Sequence, residues 1–372
     1  MIDFTRPLSL YIHFPFCRRK CGYCAFYSLP RLSYDDETVE KYVNKILSDL
    51  DSLNEIWGRG YRTIYLGGGN PVLAGIDNIN RILDKAYEKG LPEEVTIEIN
   101  PEDISRQRIR NLAYVTRVST GIQSFDEKAL AVLERASSRD ENIRALEILK
   151  EEGINFNADL ITSVPSLDPS VTVRDIEIIS HFTPPHISFY SLQYEEGTRM
   201  YELSGKRDEE YEEKCIRNGW SRLSDLGYEH YEISNFAIGE KYSLHNLNYW
   251  ALGQYAGLGP SSESSFGYRN ITSVRNSQSV FEYISESVYE KESLSASQSV
   301  CEYLLTALRT KWGIDKDEFF RRFDLSFDEV FNNALSNIDN RMYIDSRKSF
   351  RLNEEGFLFS DAVISSLAMA VL

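Results

Sequence analysis

The chain is 372 residues long, 42% hydrophobic and 12% aromatic, enough apolar side chain for a substantial core and enough length for two domains. Its formal charge of −16, from 57 acidic against 41 basic residues, argues against the Lys/Arg-rich footprint of a nucleic-acid binder. No run approaches the roughly 18 consecutive apolar residues of a membrane span, so no stable membrane insertion is expected, and the first ten residues lack the basic stretch and long apolar run of a signal peptide.

Residues 8–13 read as a strand leading into a cysteine-bearing loop. Over 38–53 the apolar residues Val39, Tyr42, Val43, Ile46, Leu50 and Leu53 recur at helical spacing. Further strands are expected at 63–66, 94–99, 117–121, 155–161 and 186–192, with helices at 76–87, near 126–133 and at 140–151. Strand–helix repetition at this spacing predicts parallel strands with crossover helices. Six such units suit an α/β fold built as an incomplete (β/α)6 barrel, with its informative residues at the strand ends.

Residues 208–226 read as a charged helix, 231–236 as a further strand, and the Ser-rich stretch 261–279 as a loop or linker. From about Ser285 the pattern changes. Helices are expected at 297–310, 316–323, 327–338 and 357–371, with a hairpin formed by 342–345 and 349–352. The chain thus divides into residues 1–284 and a small helical, winged-helix-like C-terminal domain, 285–372. Such domains often bind DNA, which the acidity disfavours.

Cys17, Cys21 and Cys24 sit as C-x-x-x-C-x-x-C. Three thiolates this close suit a metal cluster, because soft thiolate is the ligand that iron–sulfur centres take. Three is one short of saturating a [4Fe–4S] cube, and an open metal position is where a substrate or cofactor binds. A disulfide would leave one cysteine over and fits these spacings poorly. A zinc site would need a fourth ligand, and His13 is the only histidine nearby. Cys215 and Cys301 lie far apart in helix-like sequence and read as small hydrophobes. Few cysteines, clustered rather than spread, fit a reducing cytoplasm.

Gly67-Gly68-Gly69-Asn70-Pro71 directly follows a strand. Lacking Cβ atoms, these glycines let a polar ligand approach exposed N–H groups, although glycine-rich strand ends are also common turns. Glu98, Gln123, Arg135 and Asp159 lie at or beyond successive strands. A carboxylate in an apolar strand needs a cation or hydroxyl partner, supplied by a ligand or by the barrel itself. His245-Asn246-Leu247-Asn248-Tyr249-Trp250 sets a histidine beside amides and two aromatics. It suits a flat aromatic ligand or an iron, and equally a structural hydrogen-bonding role.

Taken together these strings resemble the radical S-adenosylmethionine (SAM) enzymes, in particular the coproporphyrinogen dehydrogenase/HemW group. The resemblance rests on the cysteine loop with Tyr11-Ile-His13-Phe-Pro15-Phe-Cys17, the Gly67–Pro71 string, Glu98-Ile-Asn100-Pro101-Glu102 and Gly121-Ile-Gln123-Ser124-Phe125. It extends to Ser188-Phe-Tyr190-Ser-Leu192, Tyr231-Glu232-Ile-Ser234-Asn235-Phe236 and the His245–Trp250 string. It is specific over about 8–265 and weaker to the C-terminus.

The resemblance implies a radical SAM barrel followed by a HemN-type C-terminal domain. Cys17, Cys21 and Cys24 would hold three irons of a [4Fe–4S] cluster whose fourth iron chelates SAM. Gly68, Gly69 and Asn70 would receive the methionine end, Tyr11 and Glu98 would contact the first SAM, and Tyr23 would pack near its adenosyl group. Gln123, Arg135 and Asp159 match positions that contact a second SAM in the oxidase. Phe26 stands where the oxidase carries an additional cysteine, and the His-Asn-x-x-Tyr-Trp string is associated with the heme-chaperone branch, HemW-like. That branch implies heme binding, with His245 or His13 as ligand, delivery to an acceptor protein, and an electron donor. The alternatives are an oxygen-independent oxidase, converting coproporphyrinogen III to protoporphyrinogen IX by oxidative decarboxylation, and a zinc-binding structural protein. Three features depart from the family: Asn70 replaces its usual Thr, Ala25 a frequent Asp, and Ser163-Val-Pro165-Ser166 lacks its glycines.

Overall fold

The computed structural model describes residues 2–286 and 288–371. The chain begins with β1 (Ser9–Phe14), a loop tied at its ends by the two-residue strands β2 (Phe16–Cys17) and β3 (Leu29–Pro30), and helix α1 (Asp36–Trp57). Next come β4 (Thr63–Gly68) and α2 (Ile76–Tyr87), then β5 (Glu94–Glu98) and α3 (Arg106–Asn111). β6 (Arg117–Gln123) is followed by α4 (Glu127–Val132) and α5 (Arg139–Glu151), β7 (Asn155–Thr162) by α6 (Ser170–Ser180), and β8 (His186–Ser191) by α7 (Glu209–Asp225). β1, β4, β5, β6, β7 and β8 pair in that order, each parallel to the next. This is the expected incomplete (β/α)6 barrel.

Both ends of the parallel set are extended. The hairpin β9 (Glu229–Glu232) and β10 (Asn235–Ala237) adds antiparallel strands beyond β8. After α8 (Leu244–Trp250), β11 (Tyr255–Leu258) lies parallel to β1 on the opposite edge. The antiparallel strands β12 (Glu263–Phe266), β13 (Thr272–Asn276) and, after α9 (Val280–Ser285), β14 (Tyr289–Ser293) complete a 12-stranded sheet. β1 and β8 are not neighbours among the described residues, so the six parallel strands do not close. The chain crosses from one edge to the other through α8.

The C-terminal part runs α10 (Ala296–Ala307), β15 (Ile314–Asp315), α11 (Lys316–Phe323), α12 (Phe327–Leu335), β16 (Tyr343–Asp345), β17 (Ser349–Leu352), α13 (Glu354–Leu358) and α14 (Ser360–Ala368). Its sheet, ordered β15-β17-β16 and antiparallel, packs with the helices in the winged-helix manner. Three expectations are corrected here. The stretch 261–279 is not a linker but carries β12 and β13. The strand expected at 231–236 is a hairpin that turns at Ile233 and Ser234. The helix expected at 357–371 is divided at Phe359, whose φ of −110° and ψ of 24° interrupt the helical path.

Local chemistry accounts for these elements. α1 buries the stripe Val39, Tyr42, Val43, Ile46, Leu50 and Trp57. Its start is fixed by the Asp35 carboxylate, which accepts from Thr38 N at 2.8 Å, and it ends at Gly58 with φ of 67°. A cap of this kind contributes about 1 kcal/mol. In the parallel strands one face is apolar: Leu10, Ile12, Ile64, Leu66, Val95, Ile97 and Val118 are buried in the main core. The alternate positions are polar, and they bond across the lumen. Thr63 Oγ1 donates to Ser9 Oγ at 2.9 Å, Tyr65 OH to Glu98 at 2.7 Å, and Asn157 Nδ2 to Ser119 Oγ at 2.8 Å. Parallel strands buried on both faces usually read as continuous apolar runs; alternation here marks a barrel with a polar interior.

Candidate functional site

The site is built at the C-terminal ends of the strands. Phe16, wedged between Tyr34 at 4.7 Å and Tyr42 at 5.2 Å between ring centroids, anchors the start of the cysteine loop. Pairing of Phe16 with Leu29 and Cys17 with Pro30 closes it. Cys17, Cys21 and Cys24 are free and half-buried. Gly22 N donates to Leu133 O at 3.2 Å and Met200 N to Gly22 O at 3.0 Å, which fastens the loop's tip to the far side of the barrel. Burial, reinforced by the neighbouring Cys24, pushes the Cys17 thiol up to about 12. Burial also raises the Cys24 thiol, with Cys21 adding to the effect.

Opposite the loop stands the glycine strand end. Gly69 N donates to Phe14 O and Asn70 N to Phe16 O, both at 2.7 Å. Gly68 has φ of 103°, and the imidazole of His13 occupies the place of a Cβ there, 2.5 Å from where that atom would stand. The Cys17 sulfur packs over Gly69, 3.0 Å from its would-be Cβ. Glu98 holds this strand end by accepting from Gly68 N at 3.0 Å and from Tyr65 OH at 2.7 Å. Burial, with a contribution from Asp159, raises its carboxyl to about 7. Burial likewise raises Asp159, whose Oδ1 accepts from Asn157 Nδ2 at 2.6 Å.

The third wall is Arg135. Its Nη2 donates to Gly121 O at 2.7 Å, and Nη1 lies 3.4 Å from Cys21 Sγ and 3.5 Å from Tyr23 OH. Gln123 adopts φ of 65° at an irregularity in β6, and its Oε1 accepts from Tyr190 OH at 3.4 Å. Non-glycine residues held in the left-handed region cost on the order of 1–3 kcal/mol and gather at functional sites. Tyr11, Tyr23, Gly68, Gly69, Glu98, Gln123, Arg135 and Asp159 therefore gather at one end of the lumen with the three cysteines.

The remaining candidates are placed differently. The fully buried Asn70 turns its amide to Asp103, with Nδ2 to Oδ2 at 2.8 Å. His13 is bonded to Tyr11 OH at 2.9 Å and to Tyr27 O at 2.8 Å. His245 lies deeper in the barrel, bonded to Thr63 Oγ1 at 2.7 Å and Tyr249 OH at 2.8 Å. Burial lowers its pKa to about 3, so it is neutral. Tyr65, Asp103 and Arg117 belong to the site and escape a reading of the sequence. The only signal is the alternation in β4, which puts Tyr65 on the face of Thr63.

Fold and site together define a radical SAM protein. The model of the radical SAM superfamily matches residues 11–181, and that of the HemN C-terminal domain matches 294–359. The chain belongs to the HemW family. It is 35% identical over 263 residues to "Heme chaperone HemW" of Buchnera aphidicola subsp. Schizaphis graminum, covering 69% of each chain. With "Heme chaperone HemW" of Buchnera aphidicola subsp. Acyrthosiphon pisum it shares 30% identity over 367 residues, 94% of this chain and 93% of that protein. Among solved structures, Escherichia coli coproporphyrinogen III oxidase (HemN) superposes with a TM-score of 0.82 at 18% identity, over 98% of this chain and 90% of that one. At that identity it shows a shared fold.

The radical SAM class implies a [4Fe–4S] cluster and SAM, and the residues present fit both. The three thiols share one short loop, and the thiols of Cys17 and Cys24 are each raised in part by their cysteine neighbours, a repulsion between thiolates that a positively charged cluster core would relieve. Glu102 has both carboxylate oxygens, and Arg135 its Nε, buried without a protein partner beside the cysteine loop. Such orphaned polar groups are what a bound polar cofactor satisfies. No group of three His, Cys, Asp or Glu side chains among the described residues is placed to hold a single metal ion.

Proposed function

We propose that this chain is a radical SAM iron–sulfur protein that binds heme and passes it to an acceptor protein. The observation that carries this reading is one cavity of about 950 Å³, which joins Tyr11, His13, Phe26 and Tyr27 at the cofactor end to Tyr249 and Trp250 of α8. Its size suits an organic ligand, and its aromatic faces suit a planar macrocycle. Phe26, 65% exposed, adds an apolar contact where the oxidase resemblance would require a cysteine. Full-length similarity to proteins named heme chaperones supports the same reading.

Cys17, Cys21 and Cys24 would hold the cluster, with Gly68, Gly69, Tyr11, Tyr23 and Glu98 around SAM and Gln123, Arg135 and Asp159 on the far wall. Cluster and SAM, when bound, supply one-electron reduction of a sulfonium. The protein's own part is to orient and exclude water. Gly68 N and Tyr65 OH fix the Glu98 carboxyl, and an ammonium group placed beside it favours the ionised form. His13 borders the heme cavity. His245 stands behind Tyr249, so a heme iron taken by either histidine displaces one of its present hydrogen bonds. The reading includes an electron donor, a cytoplasmic location and the division into residues 1–284 and 285–372. No helix among the described residues is long and apolar enough to cross a membrane.

The test is a side-by-side assay on anaerobically reconstituted protein. Heme titration should give a Soret band, weakened in His245→Ala. Incubation with coproporphyrinogen, SAM and a reductant should form no vinyl groups. Vinyl formation with turnover would establish the oxidase instead, and absence of heme binding by the wild type would remove the carrier reading.

A further inference from the structure

The Asp103 carboxylate is fully buried in the turn after β5. It accepts from Arg18 Nε at 2.9 Å and Nη2 at 2.5 Å, from Asn70 Nδ2 at 2.8 Å, and from Arg108 Nη1 at 2.8 Å. Arg18 lies in the cysteine loop, next to Cys17. Asn70 immediately follows Gly69. A single carboxylate thus ties together the segments that follow β1, β4 and β5.

We propose that Asp103, through Arg18 and Asn70, is the positioning residue that holds the cysteine loop against the glycine strand end. The proposal rests on the cysteine loop being the cluster site. Two further observations support it. The Asn70 Oδ1 is buried without a partner, so the orientation of this amide is set by its bond to Asp103 and by nothing on its other side. Threonine, usual at this position in the resembling family, has one hydroxyl on a shorter stem and no amide donor to offer. Backbone bonds anchor the same end of the loop, Asn70 N to Phe16 O at 2.7 Å and Arg31 N to Arg18 O at 3.3 Å, while its tip is held separately through Gly22. Arg18 to Asp103 is the side-chain tie from this end to the turn after β5. Charge-assisted, bidentate hydrogen bonds of the Arg18–Asp103 kind are the strong and geometrically specific ones. Cys17, packed over Gly69, is the thiol whose environment they define.

The test measures thiol alkylation by N-ethylmaleimide, residue by residue, in the metal-free full-length protein. Asp103→Asn and Arg18→Gln should alkylate Cys17 about tenfold faster than wild type, the factor expected when a charge-assisted bond is lost. Cys215, fully buried in α7, should not change. Arg108→Gln removes a donor that does not reach the cysteine loop and should leave Cys17 near the wild-type rate. After anaerobic reconstitution, the first two variants should also lose iron to a chelator about tenfold faster. Wild-type alkylation of Cys17 in both variants overturns the clamp, as does equal acceleration at Cys215, which would report global loosening. Should Asp103→Asn fail to fold, Arg18→Gln decides alone, because its side chain is half exposed. Failure of wild-type protein to take up iron and sulfide would reject the cluster site, and the alkylation rates would still decide the clamp.

Discussion

A methyl group on Gly69 would lie 2.6 Å from Phe16 O and 2.8 Å from Phe14 O. Both oxygens are backbone atoms fixed by hydrogen bonds, so neither can yield cheaply. Gly69→Ala should therefore cost about 1–3 kcal/mol through overpacking and displace the Cys17 sulfur. Gly153→Ala is a fair comparison. It has φ of 65° but meets nothing within 4 Å, so its cost is conformational, about 1 kcal/mol. Thermal unfolding and bound iron after reconstitution check this: iron should fall only in Gly69→Ala, and equal behaviour of the two variants would refute the steric argument. At this scale Cys17, Cys21, Cys24 and the glycines could be singled out as candidates in the sequence, because each announces itself by local spacing. Asp103 was invisible because Arg18 reaches it across 85 residues and Asn70 across 33. Arg117, only 2% exposed on the lumen face of β6, looks in the sequence like any charged residue that opens a strand.

The helix α8 depends on one carboxylate. Glu94, buried at the start of β5, accepts from Leu244 N at 3.2 Å and His245 N at 3.1 Å. A negative charge at a helix N-terminus is favourable, by up to about 2 kcal/mol when partly buried. In a helix of seven residues that is a large part of what fixes its start, along with the Ser243 cap. Glu94→Gln keeps the shape and removes the charge. It should speed amide hydrogen exchange across α8 by about tenfold, equivalent to about 1.4 kcal/mol, and loosen Tyr249 and Trp250 at the cavity. Unchanged exchange in α8 would show that packing alone holds it. Elements of the first part were legible because strand and helix periods alternate cleanly there. β12 and β13 were not, because strands with both faces partly polar have the composition of a loop. The turn within β9–β10 was hidden for another reason. It is held by Glu232, which accepts from Ser234 N at 3.0 Å and from Arg309 Nε at 2.8 Å, and Arg309 comes from beyond α10.

On the scale of the whole molecule, the barrel has a hydrogen-bonded interior that works only with neutral histidines. His13, His186 and His245 all point into the lumen from β1, β8 and α8. Each has both ring nitrogens engaged: His186 with Asn157 Oδ1 at 2.6 Å and Tyr231 OH at 2.7 Å, the other two as described. Burial lowers the pKa of all three. Below pH 6.5 the unfolded chain binds protons that the folded chain refuses, so stability is fully present above that pH. It falls as the medium is acidified towards the folded values, about 3 for His245. Three such groups together give a slope of at most about 4 kcal/mol per pH unit. Burial raises Glu98 to about 7 and Asp175 to about 6, so these carboxyls take up protons on folding in the same range and oppose the histidines. Chemical denaturation followed by tryptophan fluorescence between pH 7 and 5 should therefore show a loss of stability smaller than that limit. His186→Asn should make it shallower by up to one proton's worth, about 1.4 kcal/mol per unit. The same pH dependence in wild type and His186→Asn over this range would mean that the lumen admits imidazolium, and that its polar network is looser than the packed, mutually bonded interior of this barrel.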